Sequence, residues 1–239
     1  MTTPDLNLAV YRNADVVAHY AGLDGLTEAE SHLVERHIAP GARILDLGVG
    51  GGRTTAALAA RGGRYVGLDF STEMIAHCRT RFPDLEFHVR DAADLSPFAD
   101  ASFDAAVFSI NGLDYLVPDE KRRQCLREIA RVLTPGGVFI VLVHNARCLF
   151  APPYRRIGAN LRRLSRRLRA PAVWRGEGYL HDAAHGGLYT HVAASHRVIV
   201  EAGQVGSFEL LERVGCDHPR VRPSIFVRWF YFAFRTPRR

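Results

Sequence analysis

The chain has 239 residues, enough for one sizeable core and short for two ordinary domains. Its apolar content is normal for a globular protein, and its four scattered cysteines (Cys78, Cys125, Cys148, Cys216) contain no C-x-x-C pair, which argues against a zinc site and a disulfide framework. The formal net charge of +6 is carried almost wholly by arginine, Lys121 being the only lysine, so a GC-rich codon bias and an anionic partner are both open readings.

The first residues show no basic region leading into an apolar one, so no secretory signal is expected and a reducing cytoplasm is the simplest home. An amphipathic stretch over about residues 13–38 predicts a helix, ended by Pro40-Gly41. "RILDL" is a short apolar strand, and "TTAALAARG" a helix that stops at Gly62-Gly63. "RYVGLDF" is a second strand, followed by the helix "STEMIAHCRTRF", which Ser71 can cap. "LEFHV" and "FDAAVFSI" are the third and fourth strands. "DEKRRQCLREIARVL" is a helix with Leu126, Ile129, Ala130 and Leu133 on one face, and "VFIVLVHN" is the fifth strand. Apolar runs without alternation belong to strands covered on both faces, and strand–helix alternation implies a parallel, doubly wound sheet. After Asn145 the pattern becomes irregular, rich in Pro and Arg, until "LYTHV" offers a short strand. "SHRVIVEAGQ" then reads as a helix, with "SFELLERVGC" and "IFVRWFYFAFR" as two last strands. Two strands in succession without a helix between them predict an antiparallel pair at one sheet edge. The last run is too short, and interrupted by Arg228, to span a bilayer as a helix.

In an open α/β sheet, ligands bind at the carboxyl ends of the strands. The glycines just past the first strand therefore form a candidate cofactor loop. The dinucleotide pattern G-x-G-x-x-G needs glycine at 53, where the chain has Arg53; the run is D-x-G-x-G-x-G, with Asp46, Gly48, Gly50 and Gly52. A tight βα turn alone would also use such glycines. Asp69, at the end of the second strand, stands at the distance from the loop where a carboxylate reaches a ribose diol. Asp91, at the end of the third, is placed to accept from an adenine amino group. Each acid alone could be a turn residue; three at successive strand ends point to a nucleotide-containing cofactor.

"ILDLGVGGG", "VGLDFSTEMI", "RDAADLSPFADASFDAAVFS" and "LREIARVLTPGGVFIV" resemble, in order and spacing, the motifs of class I S-adenosylmethionine-dependent methyltransferases, over about residues 40–145. "FSINGLDYL", with "HN" after the fifth strand, resembles bacterial small-molecule members. The resemblance implies a Rossmann-like seven-stranded sheet, mostly parallel with an antiparallel C-terminal edge pair. It implies S-adenosylmethionine as cofactor, and methyl transfer to O, N or C of a small molecule, in bacterial specialised metabolism. The rivals are an RNA methyltransferase and a cofactor-binding protein without transfer activity. By position it assigns Asp46, Gly48, Val49, Gly50 and Gly52 to the cofactor loop; Val49 departs from the Cys or smaller residue many members carry. It assigns Asp69 to the ribose hydroxyls, Phe70 and Met74 to the adenine faces, and Asp91 and Ala92 to the adenine edge. Ser109 and Asn111 fall on the sulfonium side, with Tyr11 and Tyr20 closing from the N-terminal helix.

A sulfonium methyl is already activated, so the protein mainly aligns the reactants, with a general base where the acceptor arrives protonated. His144, His181, His185 and His191 compete for that role; His144, at the ligand edge, and His185 are the candidates, although each also suits plain packing. His181 and His185 have the i,i+4 spacing of a metal pair if helical, but no third ligand is evident and no metal is expected. Arg147, Arg155, Arg156, Arg162, Arg163, Arg166, Arg167, Arg169 and Arg175 crowd one segment, in which Leu161, Leu164 and Leu168 share a helical face. A lid over the acceptor pocket is expected there; an anionic or carrier-bound acceptor and a membrane surface are the other partners such a run suits. It lacks aromatics interleaved for base stacking, so nucleic acid is not the expected partner. The chain thus divides into a helical cap (1–40), a cofactor core (41–145), an Arg-rich insertion (146–190) and a C-terminal helix with strands (191–239).

Overall fold

The computed structural model describes residues 10, 14–150, 157–169, 174–182 and 188–238. The five early apolar runs form β1 (Ile44–Leu47), β2 (Tyr65–Asp69), β3 (Glu86–Val89), β4 (Phe103–Phe108) and β5 (Leu133–His144), all parallel, in the order β3-β2-β1-β4-β5. The sheet continues with β9 (Trp229–Arg235) and then β8 (Glu209–Gly215), both joined antiparallel, so the seven-stranded order is β3-β2-β1-β4-β5-β9-β8. The expected antiparallel pair is present, with the last strand inserted inside it against β5. The order reverses between β1 and β4, where the loops leaving the two strands part and open a crevice.

The strands read as unbroken apolar runs because both faces are covered. Along β5, Phe139, Val141 and Val143 face one cluster, which includes Leu126, Ile129 and Phe232; Ile140 and Leu142 face the other, with Leu33, Ile44 and Tyr231. The covering helices are α1 (Ala14–Ala21), α2 (Glu28–His37), α3 (Thr55–Ala59), α4 (Thr72–Arg81), α5 (Asp119–Val132) and α7 (Ser195–Gly206). α6 (Ile157–Arg169) and the antiparallel hairpin of β6 (Glu177–Asp182) and β7 (Leu188–Ala193) belong to the connection after β5.

Several elements differ from the sequence expectation, and β5 already begins at Leu133, ahead of the expected "VFIVLVHN". The single helix over 13–38 is two, α1 and α2. The chain breaks at Gly25, whose φ of 77° lies in the left-handed region, and Thr27 starts α2 with a capping box to Glu30. The irregular segment contains β6, whose polar sequence EGYLHD carries little strand signal before it pairs with β7. The last strand begins at Trp229, because Ser224–Phe226 forms a 3₁₀ turn.

Candidate active site

A cavity of about 370 Å³ lies at the carboxyl ends of β1, β2, β3 and β4. The turn after β1 supplies Gly48, Val49, Gly50 and Gly51 to its wall. Gly50 has a φ of 55°, and a Cβ built there would meet no atom within 4 Å, so its bare backbone faces open space. Gly52 does not line the cavity. A Cβ there would lie 2.8 Å from the Phe82 ring and 3.4 Å from Cys78 Sγ, so this glycine lets α4 pack on the loop instead.

Asp69 lies on the cavity wall and is 7% exposed; its carboxylate accepts from the Gly50 N–H at 3.0 Å and the Ser71 N–H at 2.8 Å. Burial outweighs these bonds and raises its pKa above the ordinary carboxylate value. Asp91 accepts from the Ala93 N–H at 3.0 Å and pairs with Lys121 Nζ at 2.5 Å, and both partners of that pair line the cavity. Phe70, Met74, Ala92, Ser109 and Tyr20 also line the wall. Asp46 is set behind it: fully buried, it accepts from Thr54 Oγ1 at 2.6 Å and Tyr65 OH at 2.8 Å. Burial pushes its pKa up to about 6 against those hydrogen bonds.

After β4 the backbone is strained. Ile110 and Asn111 have φ of 46° and 57°, a conformation that costs a β-branched residue on the order of 1–3 kcal/mol. Asn111 is buried but is not part of the wall, and its Oδ1 has no hydrogen-bond partner among the described residues.

Sequence reasoning did not anticipate the group that fastens these parts together. Glu30, 1% exposed, accepts from Arg53 Nη1 at 2.8 Å and Nη2 at 2.6 Å, from Ser109 Oγ at 2.7 Å and from the Thr27 N–H at 2.8 Å. One carboxylate thus caps α2, neutralises the arginine of the glycine turn and holds the loop after β4. Burial disfavours its charge, but the Arg53 bonds prevail and leave its pKa below the ordinary value. The T-x-x-E spacing of Thr27 and Glu30 is the signal that could have placed a helix start here, but nothing in it marks the burial of Glu30 beneath the cavity.

His144 ends β5 just outside the wall. Its Nδ1 lies 2.9 Å from Asp114 Oδ2, which also accepts from the His144 N–H at 2.6 Å. His191 Nδ1 is 3.7 Å from Asp114 Oδ1, and its Nε2 is 3.3 Å from Glu177. Asp114 is 1% exposed; burial opposes its charge, yet the two histidines hold its pKa below the usual value. Tyr115 lines the cavity and sets its ring edge-on to His144, with centroids 6.2 Å apart. Tyr11 and His185 lie outside the described residues. His181 stands on strand β6, so the helical premise of a metal pair with His185 does not hold on its side.

A family model for the methyltransferase domain matches residues 44–137. The demethylmenaquinone methyltransferase of a Mycobacterium species (strain KMS) is 34% identical over 188 residues, which cover 77% of this chain and 72% of that protein. The chain belongs to the S-adenosylmethionine-dependent methyltransferases.

The demethylmenaquinone methyltransferase of Beutenbergia cavernae is 46% identical over 102 residues, 43% of this chain. There the match spans only 40% of the relative, and the chain covers less than half the length of several curated relatives. Among solved structures, the fold is similar to the 1,6-didemethyltoxoflavin-N1-methyltransferase of Burkholderia thailandensis (TM-score 0.65, 18% identity, 99% of this chain and 92% of that one). It is similar also to the CcbJ methyltransferase of Streptomyces caelestis (TM-score 0.66, 19% identity, 95% and 98%). The cavity of this methyltransferase suits the family's cofactor in chemistry. The open face of Gly50 leaves room for a ligand against the backbone, a buried carboxylate at Asp69 matches a diol, and Phe70 and Met74 offer apolar faces to a purine.

Proposed function

We propose that the chain methylates a small-molecule acceptor, using S-adenosylmethionine held in the cavity at the β1–β4 crevice. The observation that carries this is the convergence of the Gly48–Gly51 turn, Asp69 and Asp91 on one cavity, with the buried Asp114 paired to the half-buried His144 at its side. The bound cofactor supplies an electrophilic methyl group. The protein's part is to hold and align. Gly48, Val49 and Gly50 admit the methionine and ribose portion, Asp69 accepts from the ribose hydroxyls, Phe70 and Met74 clasp the adenine, and Asp91 and Ala92 meet its edge. Ser109, fixed by Glu30, and Tyr20 border the reactive end, while Asp46 and Gly52 support the turn from behind. Asn111 shapes the strained loop after β4.

His144 is the general base in this reading. Asp114 takes the Nδ1–H, which directs Nε2 as the proton acceptor and stabilises the imidazolium that forms. The described elements of the connection after β5, α6 and the β6–β7 pair, follow this edge of the sheet and would serve as the cover of the acceptor. The relatives are named for a demethylmenaquinone acceptor, and a structural neighbour for a didemethyltoxoflavin one; both names support a small molecule rather than RNA. Four free thiols support a reducing compartment, the cytoplasm.

The test is incubation with methyl-labelled S-adenosylmethionine and separate pools of quinols, phenols, heteroaromatic amines and bacterial RNA. Label is expected in a small molecule, and Asp69→Ala should lower its rate of incorporation about tenfold or more at limiting cofactor. Label in RNA alone would overturn the reading.

A further inference from the structure

Nothing about cofactor or acceptor accounts for the outer face of α6. From Asn145 to Gly176 the sequence contains no Asp or Glu, while its arginines are dense. Within α6 the leucines at 161, 164 and 168 recur at helical spacing, and Leu161 and Leu168 are 58% and 39% exposed. Trp174 is 71% exposed, and its Nε1 donates to the Leu168 carbonyl at 2.6 Å, which fixes the indole beside the helix end. Arg162, Arg169 and Arg175 are exposed around them. A solvated lid would not leave two leucines and a tryptophan in water together. Nucleic acid would meet the arginines but leave the aliphatic stripe without a partner.

We propose that α6 and Trp174 dock this chain onto an anionic lipid bilayer. The helix lies in the headgroup plane, Leu161, Leu168 and Trp174 enter the acyl boundary, and the arginines meet the lipid phosphates. Cation on one side and apolar surface on the other match the two layers of such a surface. The same connection leaves from the carboxyl end of β5, so docking turns the sheet edge that bears the cavity toward the lipid. Among the described residues no helix is long and apolar enough to cross a membrane, so the contact is peripheral.

Of the two tryptophans, Trp174 is exposed and Trp229 half-buried, so Trp229→Phe makes Trp174 the sole reporter. The full chain is mixed with vesicles of phosphatidylcholine and phosphatidylglycerol in equal parts, and with phosphatidylcholine alone. On the anionic vesicles Trp174 emission should shift to the blue and be quenched by acyl-brominated lipid. Leu161→Gln with Leu168→Gln should remove the shift. Arg162→Gln and Arg169→Gln should each weaken partitioning roughly fivefold, in a salt-dependent manner. Should Trp229→Phe fail to fold, flotation of the unaltered chain and of the leucine double variant with the same vesicles decides the matter. Unchanged emission and no flotation, equal binding to neutral vesicles, or a blue shift that appears without lipid on self-association would each overturn the proposal. So would RNA binding by a chain that ignores vesicles. Because no readout involves methyl transfer, this outcome is separate from that of the enzymatic assay.

Discussion

The Glu30–Arg53 pair invites a decisive perturbation. Arg53→Met keeps the bulk of the side chain and removes the charge. Glu30, 1% exposed, then loses two charge-assisted hydrogen bonds of 2.8 and 2.6 Å and keeps only Ser109 and the Thr27 N–H. Removing one partner of a buried ion pair typically costs about 3–5 kcal/mol, a large share of a domain's ~5–15 kcal/mol. The loss should depend on pH. In the native chain Glu30 has a depressed pKa, so its contribution is present above the unfolded value and is lost as pH falls through the folded one. Without Arg53, burial dominates, the folded pKa rises, and the variant instead loses stability as pH rises through that value. The difference between the two proteins therefore widens from acid to neutral pH. Urea unfolding followed at several pH values reads it as a shift in midpoint at constant slope. Adding Glu30→Gln should recover part of the loss, since an amide keeps a hydrogen bond and discards the stranded charge. A cost below about 1 kcal/mol that does not vary with pH, or a double variant no better than Arg53→Met, would refute the account.

Asp69→Ala should weaken cofactor binding tenfold or more by calorimetry, because unpaired buried hydroxyls cost about 1–3 kcal/mol; unchanged affinity would place the nucleotide elsewhere. Gly50→Val should abolish binding, since its side chain would enter the cavity from a backbone that disfavours any Cβ. Asp46 has a raised folded pKa, so its ionisation lowers stability as pH rises from about 4 to 6. Asp46→Asn should therefore gain on the native chain by up to ~3 kcal/mol between acid and alkaline melts, and a gain of opposite sign would contradict the assignment. His144→Gln should lower kcat by roughly 10²–10⁴ with cofactor affinity intact. Asp114→Asn should lower kcat with cofactor affinity intact, because the His144 ring loses the carboxylate that orients it at 2.9 Å; an unchanged kcat would leave Asp114 with a structural role alone.

What the sequence determined by itself was local. Strands covered on both faces must be apolar at every position, so β1, β2, β4 and β5 were legible as runs, and α5 as a 3.6-residue pattern. The glycine turn and the acids Asp69 and Asp91 were legible because a ligand at strand ends requires those residue types within a few positions of each strand. Tertiary structure decided what depends on distant approach. Gly50 and Gly52 look alike in the sequence, yet one faces the cavity and the other the Phe82 ring, because α4 packs against one side of the turn only. β9 enters between β5 and β8, which no pattern within either strand specifies. Ser109 meets Glu30 across 79 positions, and Asp114 meets His144 across 30. A carboxylate in a sequence carries no mark of whether water or protein will surround it. Burial sets that, and with it whether Glu30 anchors the loops, Asp46 resists ionisation and Asp114 stays charged between two histidines.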